Sequence, residues 1–310
     1  MSTATKSNSG QTVDLIQPFL PLDESLYALG DVEKAFFKEL TGIQDEDELK
    51  QHIITVQAKA YSVYGYPCIR RFAFATLKIS RLHGYTSVQR LRVERPDAIL
   101  LDMGCCFGND IRKAVLDGWP VENAIASDLR PEFWTYGHEL FKSTPATFPA
   151  VFIGGDAFDS TFLSPHPIFS SSSPPTNPRP NSLKDVGTLT QLQGHISAIH
   201  ASAFFHLFDE PKQLELAERM ASLLSPLAGS IIFGSHVGKP EKGHRPESLR
   251  GGAHRMFCHS PESWIELWDG KVFPKGTVNV QARLVEVSRP DFALAPGVKF
   301  YLLSWSVTRL

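Results

Sequence analysis

Two periodicities divide the chain. From Ser25 to Leu91 apolar residues return every three to four positions, the spacing of one helix face. In the stretch DEDELKQHIITVQAKAYSVY, acidic residues open the first turn, and Leu49, Ile53, Val56 and Ala60 follow near that spacing. Pro67 then opens CIRRFAFATLKISRL, where Ile69, Phe72, Leu77 and Leu82 share a face beside Arg70, Arg71, Lys78 and Arg81. This pattern predicts a helical cap or arm over residues 21–95, preceded by a loose polar tail over 1–20.

From residue 98 the period alternates between that of a strand and that of a helix. AILLDMG reads as a buried strand, NDIRKAVLDG as a helix, AIASDLR as a second strand, EFWTYGHELF as a helix and AVFIGGDAF as a third strand. HISAIHASAFFHLF opens a fourth strand, DEPKQLELAERMASLLSP is an amphipathic helix, GSIIFGSHVG a fifth strand and SPESWIELWDG a further helix. QARLVEVS and KFYLLSWSVTRL then alternate like a closing antiparallel pair. Repeated β-α-β units imply an α/β domain over 96–310, with a mostly parallel sheet covered by helices on both faces. The stretch SPHPIFSSSSPPTNPRP, residues 164–180, holds six prolines and five serines and is expected to be a mobile surface loop.

Composition narrows the class. The 310 residues are 42% hydrophobic and 21% charged, with a formal net charge of −2, so the chain lacks the basic footprint of a nucleic-acid binder. No apolar run approaches the roughly 18 residues of a spanning helix, and the N-terminus lacks the apolar core of a signal peptide. Cys68, Cys105, Cys106 and Cys258 show no metal-site spacing, so no metal is expected and a reducing, cytoplasmic setting is. The expected partner is a small molecule.

The stretch ILLDMGCCFGNDIRKAV carries the candidate chemistry. It is a strand, a glycine-bearing turn and a helix, and in open α/β sheets ligands sit beyond such strand ends. A G-x-G-x-x-G dinucleotide fingerprint fails at Cys106 and Asn109, and the phosphate loop G-x-x-x-x-G-K-[S/T] is absent. A cofactor without a pyrophosphate suits the turn better. Asp128 lies 24 residues after Gly104 at the end of the second strand, a spacing that suits a carboxylate accepting ribose hydroxyls. Asp156 ends the third strand. Three strands thus finish in an aspartate on one edge of the sheet, although each acid alone could equally be a helix cap.

What the turn does match is D-x-G-x-x-x-G, at Asp102, Gly104 and Gly108, which resembles the first motif of class I methyltransferases. Cys106 stands where that motif commonly has glycine. The blocks YPCIRRF, LLDMGCCFGNDIRKAVLDGWP, SDLRPEFW and GHISAIHASAFFHLF are similar to a fungal group of methyltransferases of secondary-metabolite, meroterpenoid-type pathways. The resemblance covers the chain from about Tyr61 to the C-terminus. It implies a Rossmann-like seven-stranded fold and S-adenosyl-L-methionine as cofactor, held by Asp102, Gly104, Gly108, Asp128, Leu129, Asp156, Ala157 and Ala201. It also implies a cytosolic homodimer that forms a methyl ester or ether on a small apolar terpenoid or meroterpenoid.

A carboxylate acceptor is ionised near neutral pH and needs no base, whereas a phenol, with a pKa near 10, benefits from a histidine. His206 and His236 are the candidate bases at the ligand edge, each also readable as a structural histidine, and His200 is a lesser candidate on the cofactor side. Tyr66, Arg70 and Met256 are candidate substrate contacts, with Arg71 beside Arg70 able to clamp a carboxylate. Phe204, Phe205, Trp264 and Trp268 could wall a pocket or simply fill the core. GGAHRMFCHS, residues 251–260, is placed to form a pocket edge. The fourth strand lacks a [D/N]-P-P-[Y/F/W] motif, which disfavours methylation of nucleic-acid bases. Methyl-ester formation is the reading preferred. A phenol or enol O-methyltransferase of polyketide metabolism, a nicotinamide-dependent oxidoreductase and a non-catalytic ligand-binding protein are the alternatives.

Overall fold

A computed structural model of the chain describes residues 20–245, 256–289 and 299–310. The tail expected over 1–20 lies, except for Leu20, outside the described residues, as do Gly251–Arg255 of the expected pocket edge. The strands are β1 (Leu100–Met103), β2 (Ala124–Asp128), β3 (Val151–Gly154), β4 (Ala198–His200), β5 (Ile231–Gly238), β6 (Gly243–His244), β7 (Phe257–Cys258), β8 (Val278–Val287) and β9 (Phe300–Arg309). Seven of them form one sheet in the order β3-β2-β1-β4-β5-β9-β8, and β6 pairs with β7 in a separate two-stranded ribbon. The first five run parallel, while β9 is antiparallel to both β5 and β8. Strand order reverses between β1 and β4, which puts the ligand-binding crevice at their carboxyl ends.

The helices are α1 (Asp31–Thr41), α2 (Glu46–Val63), α3 (Pro67–Arg70), α4 (Tyr85–Glu94), α5 (Asn109–Leu116), α6 (Pro131–Leu140), α7 (Glu210–Leu223) and α8 (Pro261–Trp268). The period of two along each strand sorts side chains between two cores. Ile99, Leu101, Met103, Ile199 and Ile232 pack with Leu216 and Met220 of α7 and Trp264 and Trp268 of α8. Ala98, Leu100, Ala198 and Phe233 pack on the other face with Val88 and Leu91 of α4 and Ile111 of α5. A third core joins Phe36 and Phe37 of α1 and Leu49, Ile53 and Val56 of α2 to Phe107, Phe133 and Phe141 of the sheet domain.

Helix α4 packs in the layer that covers one face of the sheet. One expectation is corrected. The stretch 68–82 is not one helix: α3 has four residues and is followed by separate turns at Ala73–Ala75 and Ile79–Arg81. Phe72 breaks it with φ +56°. Beyond that point the backbone donors are taken by distant carboxylates, Leu77 by Glu33 at 3.2 Å and Lys78 and Ile79 by Asp110 at 2.8 Å. The proline- and serine-rich stretch makes hydrogen bonds to the sheet domain. Arg179 donates to Asp97 and Asn123 (both 3.0 Å), His195 meets the Asn177 carbonyl at 3.0 Å, and Arg309 meets the Phe169 carbonyl. These partners lie at the amino-terminal edge of the parallel strands, so the stretch cannot cover a ligand at the opposite edge.

Helix α6 crosses close over the turn after β1. A methyl group on Gly137 would overlap the Phe107 carbonyl oxygen. Gly137→Ala is expected to lower stability by about 1–3 kcal/mol through overpacking, outweighing the ~1 kcal/mol that alanine gains over glycine within a helix. A urea unfolding curve, with the slope unchanged and the midpoint lowered, checks this.

Candidate active site

The turn between β1 and α5 is held from several sides. The Gly104 and Cys105 N–H groups both donate to the Ser127 carbonyl, at 2.8 and 3.0 Å, which stitches the turn to β2. Gly104 and Gly108 have φ of +73° and +72°, and Cys106 has φ +52°, so three of five turn residues are left-handed. That conformation costs a side chain roughly 1–2 kcal/mol. It explains why the motif favours glycine at the position Cys106 fills. Gly104 is needed for space as well, since a Cβ there would lie 3.0 Å from the Phe204 ring.

Asp128, at the end of β2, accepts the Cys106 N–H at 2.8 Å on one oxygen and the Arg130 N–H at 3.0 Å on the other. Each oxygen keeps lone-pair capacity for a ligand hydroxyl. Burial pushes the Asp128 pKa up, and its two backbone hydrogen bonds pull it back. Tyr66, from the cap, lies near this acid. Its ring is 5.9 Å from Phe133, and its hydroxyl pKa is raised to about 12, first by burial and then by the Asp128 charge. The structure therefore places Tyr66 on the Asp128 side of the site. Leu129 is exposed beside it. Asp156, also exposed, accepts the Phe158 N–H at 2.9 Å, and Ala157 is buried.

Between the turn and β4 lies a cavity of about 40 Å³, room for a few water-sized polar groups. Phe74, Lys78, Asp102, Gly104, Cys106 and Asn109 are among its lining residues, with His200 and Ser202 from the β4 side. Asp102 and His200 face one another in register across β1 and β4, and His200 Nδ1 donates to an Asp102 oxygen at 2.7 Å. The second Asp102 oxygen is buried with no partner, as are both amide atoms of Asn109. Asp102 is raised in pKa by burial and pulled back by His200. Buried polar atoms are usually satisfied in folded proteins, so these three are free to meet a polar group in the cavity.

The candidate bases lie elsewhere. His236 points to the α8 face, 1% exposed, where its Nδ1 accepts the Trp305 indole N–H at 3.0 Å. Its ring centroid is 4.6 Å from Trp264 and 5.7 Å from Phe205, and burial holds its pKa well below the usual histidine range. His206 accepts a long 3.4 Å hydrogen bond from the Val237 N–H. Burial, then the charges of Arg71 and Arg289, push its pKa down to about 4.

The other candidates divide in the same way. Arg70 donates to the Pro21 carbonyl at 2.8 Å and ties down the chain before α1, while Arg71 donates to the Pro67 carbonyl at 3.2 Å and its charge acts on His206. Met256 packs against Val237, Cys258 and Phe300, an apolar patch at the carboxyl end of β5. Ala201 is fully buried and Gly234 packs against its carbonyl, so it is not brought to the cavity. Phe205, Trp264 and Trp268 fill the core, while half-buried Phe204 lies over the turn. Sequence reading missed Lys78, Asn109 and Ser202. Asn109 directly follows the glycine motif and was the one accessible to inspection.

Comparison with known proteins agrees with this architecture. Residues 22–75 match the family described as meroterpenoid methyltransferase N-terminal domain, which spans the cap from before α1 through the turn after α3. The chain is 31% identical over 231 residues to O-methyltransferase phiE of Fungal sp. (strain ATCC 74256), covering 74% of this chain and 68% of that protein. It is 30% identical to methyltransferase adrK of Penicillium rubens, covering 72% and 70% of the two chains. It is 28% identical to the Asnovolin E/Chermesin D methyltransferase nvfJ of Aspergillus novofumigatus, over 84% and 83%. The chain belongs to this family of fungal methyltransferases.

Proposed function

We propose that the protein methylates a carboxylate oxygen of a small, largely apolar acid of the terpenoid or meroterpenoid type, giving a methyl ester. The observation that carries this reading is the state of the two candidate bases. His236 has its Nδ1 committed to Trp305, and a His206 of pKa about 4 is too weak a base for a phenol of pKa near 10. A carboxylate needs no base. The apolar patch of Met256, Val237 and Phe300 suits the body of such an acid, and Arg71 adds positive charge on the same side.

The residues fit the cofactor. Asp128 would accept the two ribose hydroxyls, and Leu129, Asp156 and Ala157 would border the adenine. Gly104 and Gly108 allow the turn to approach. The unpartnered oxygen of Asp102, with Asn109 and Lys78, offers opposite charges for the zwitterionic amino-acid end. When bound, S-adenosylmethionine would supply an electrophilic sulfonium methyl group for transfer to the acceptor oxygen, with the neutral thioether as the leaving group. The protein's task is to align acceptor and methyl near 3 Å and keep water out. No proton is moved.

Two outcomes are expected. With labelled S-adenosylmethionine and a panel of farnesylated and plain aromatic acids, phenols and enols, an acid should be labelled and should lose its label in mild alkali. An alkali-stable product would replace the ester reading with ether formation. The rate should be flat between about pH 6 and 8, because the acceptor is already ionised there and His206 stays neutral above pH 4. A phenol without a base would instead gain nearly tenfold per pH unit. Separately, Asp128→Ala should weaken S-adenosylhomocysteine binding at least tenfold by calorimetry, and unchanged affinity would overturn the ribose assignment.

A further inference from the structure

The cavity beside the glycine turn ends in a chain of hydrogen bonds rather than in a single acid. His200 Nδ1 donates to Asp102 at 2.7 Å, and His200 Nε2 meets the Ser202 hydroxyl at 2.8 Å. A proton on Nδ1 leaves Nε2 as the acceptor, so the Ser202 O–H donates to it. The Ser202 oxygen also accepts the Ser235 N–H at 3.3 Å. Its own proton is therefore turned away from the cavity, and its remaining lone pair is the group it can offer a ligand. Asp102 and His200 are 3% and 1% exposed, so neither is satisfied by solvent.

A buried carboxylate with one oxygen unpartnered is costly unless a cation or donor meets it. His200 serves both ends. It fixes Asp102 so that the free oxygen is left for the cavity, and it fixes the Ser202 hydroxyl as a pure acceptor. An ammonium group carries three donors and no acceptor, which is the complement of this arrangement. The backbone supports the same geometry, since Ala203 directly after Ser202 has φ +55° and its N–H donates to the Ser235 carbonyl at 2.6 Å.

We propose that His200 and Ser202 are positioning residues for the α-ammonium group at the amino-acid end of the cofactor, acting with Asp102 as one receptor. The inference rests on the cofactor placement given above. It assigns His200 a role in binding and none in proton abstraction. Ser202 touches the ammonium directly, and His200 acts through its two neighbours.

Calorimetric affinities for two nucleosides test it. S-adenosylhomocysteine carries the ammonium group, and 5′-methylthioadenosine lacks the whole amino-acid end. Ser202→Ala and His200→Gln should each weaken S-adenosylhomocysteine at least tenfold and leave methylthioadenosine within twofold of wild type. Ser202→Thr, which restores a hydroxyl, should recover most of the loss. Methylthioadenosine also reports folding, because a misfolded variant would lose it too. Equal loss of both nucleosides in every variant would reduce the pair to a structural role and overturn the proposal, as would unchanged S-adenosylhomocysteine binding in Ser202→Ala. A wild-type protein that binds neither nucleoside would overturn the cofactor placement itself, and the inference with it.

Discussion

The site depends on one buried guanidinium. Arg112, 2% exposed in α5, donates to the Phe107 carbonyl at 2.9 Å and reaches the Gly108 carbonyl at 3.3 Å. Its charge lies 5.0, 4.7 and 4.4 Å from the rings of Trp134, Phe141 and Phe148. Burial lowers its pKa to about 9, so it remains charged at neutral pH, and the aromatic faces offset part of the desolvation. By holding those two carbonyls it fixes the far side of the glycine turn, while the Ser127 carbonyl fixes the near side. The Cys106 N–H between them is thereby aimed at Asp128. The same aromatic group reaches the cap, where Phe141 stacks on Phe37 at 5.1 Å and Phe107 meets Phe74 at 4.7 Å. Cap, turn and α6 thus form one packed unit, and the cap cannot shift without disturbing the cofactor edge.

What was legible in the sequence was local. The β-α-β alternation, the glycine turn and the aspartates near strand ends are patterns within a few residues of themselves; Asp128 ends β2 as expected, and Asp156 lies two residues beyond β3. The pairing of Asp102 with His200 joins residues 98 apart and depends on the register of β1 on β4, which no local period encodes. The stretch after Pro67 failed for a related reason. Its helical period is real, but Glu33 and Asp110 capture its backbone donors from other elements, and tertiary hydrogen bonds outweigh a weak helical preference. Arg70 and Arg71 were indistinguishable by type. Only the fold at the end of α3 decides that one ties down Pro21 while the other bonds the Pro67 carbonyl.

Electrostatics divides the site into two halves with different tasks. On the turn side are acids, Asp102 and Asp128, both raised in pKa by burial and pulled back by their hydrogen-bond partners. A sulfonium cofactor with an α-ammonium group brings positive charge to that side. On the acceptor side are Arg71, Arg289 and a neutral His206, around an apolar patch. Under the proposed reading, a cationic donor and an anionic acceptor would meet opposite walls of complementary charge.

The backbone strain falls on the same map. Of the four described non-glycine residues with positive φ, Cys106 lines the cavity and Ala203 follows Ser202. Phe72 precedes Phe74, which also lines it. At each place the chain reverses at or beside a residue of the cavity lining. Strain of this kind costs about 1–3 kcal/mol per residue and persists only where surrounding structure enforces it. Here the enforcing elements are identifiable: Arg112 and Ser127 around Cys106, β5 against Ala203, and the Tyr27 and Phe74 rings packed on Phe72 at 5.4 and 6.0 Å. Cysteine at position 106 is then understandable without appeal to thiol chemistry. Burial raises its pKa well above the ordinary thiol value, so it is a small apolar side chain occupying a left-handed position that the turn has already fixed.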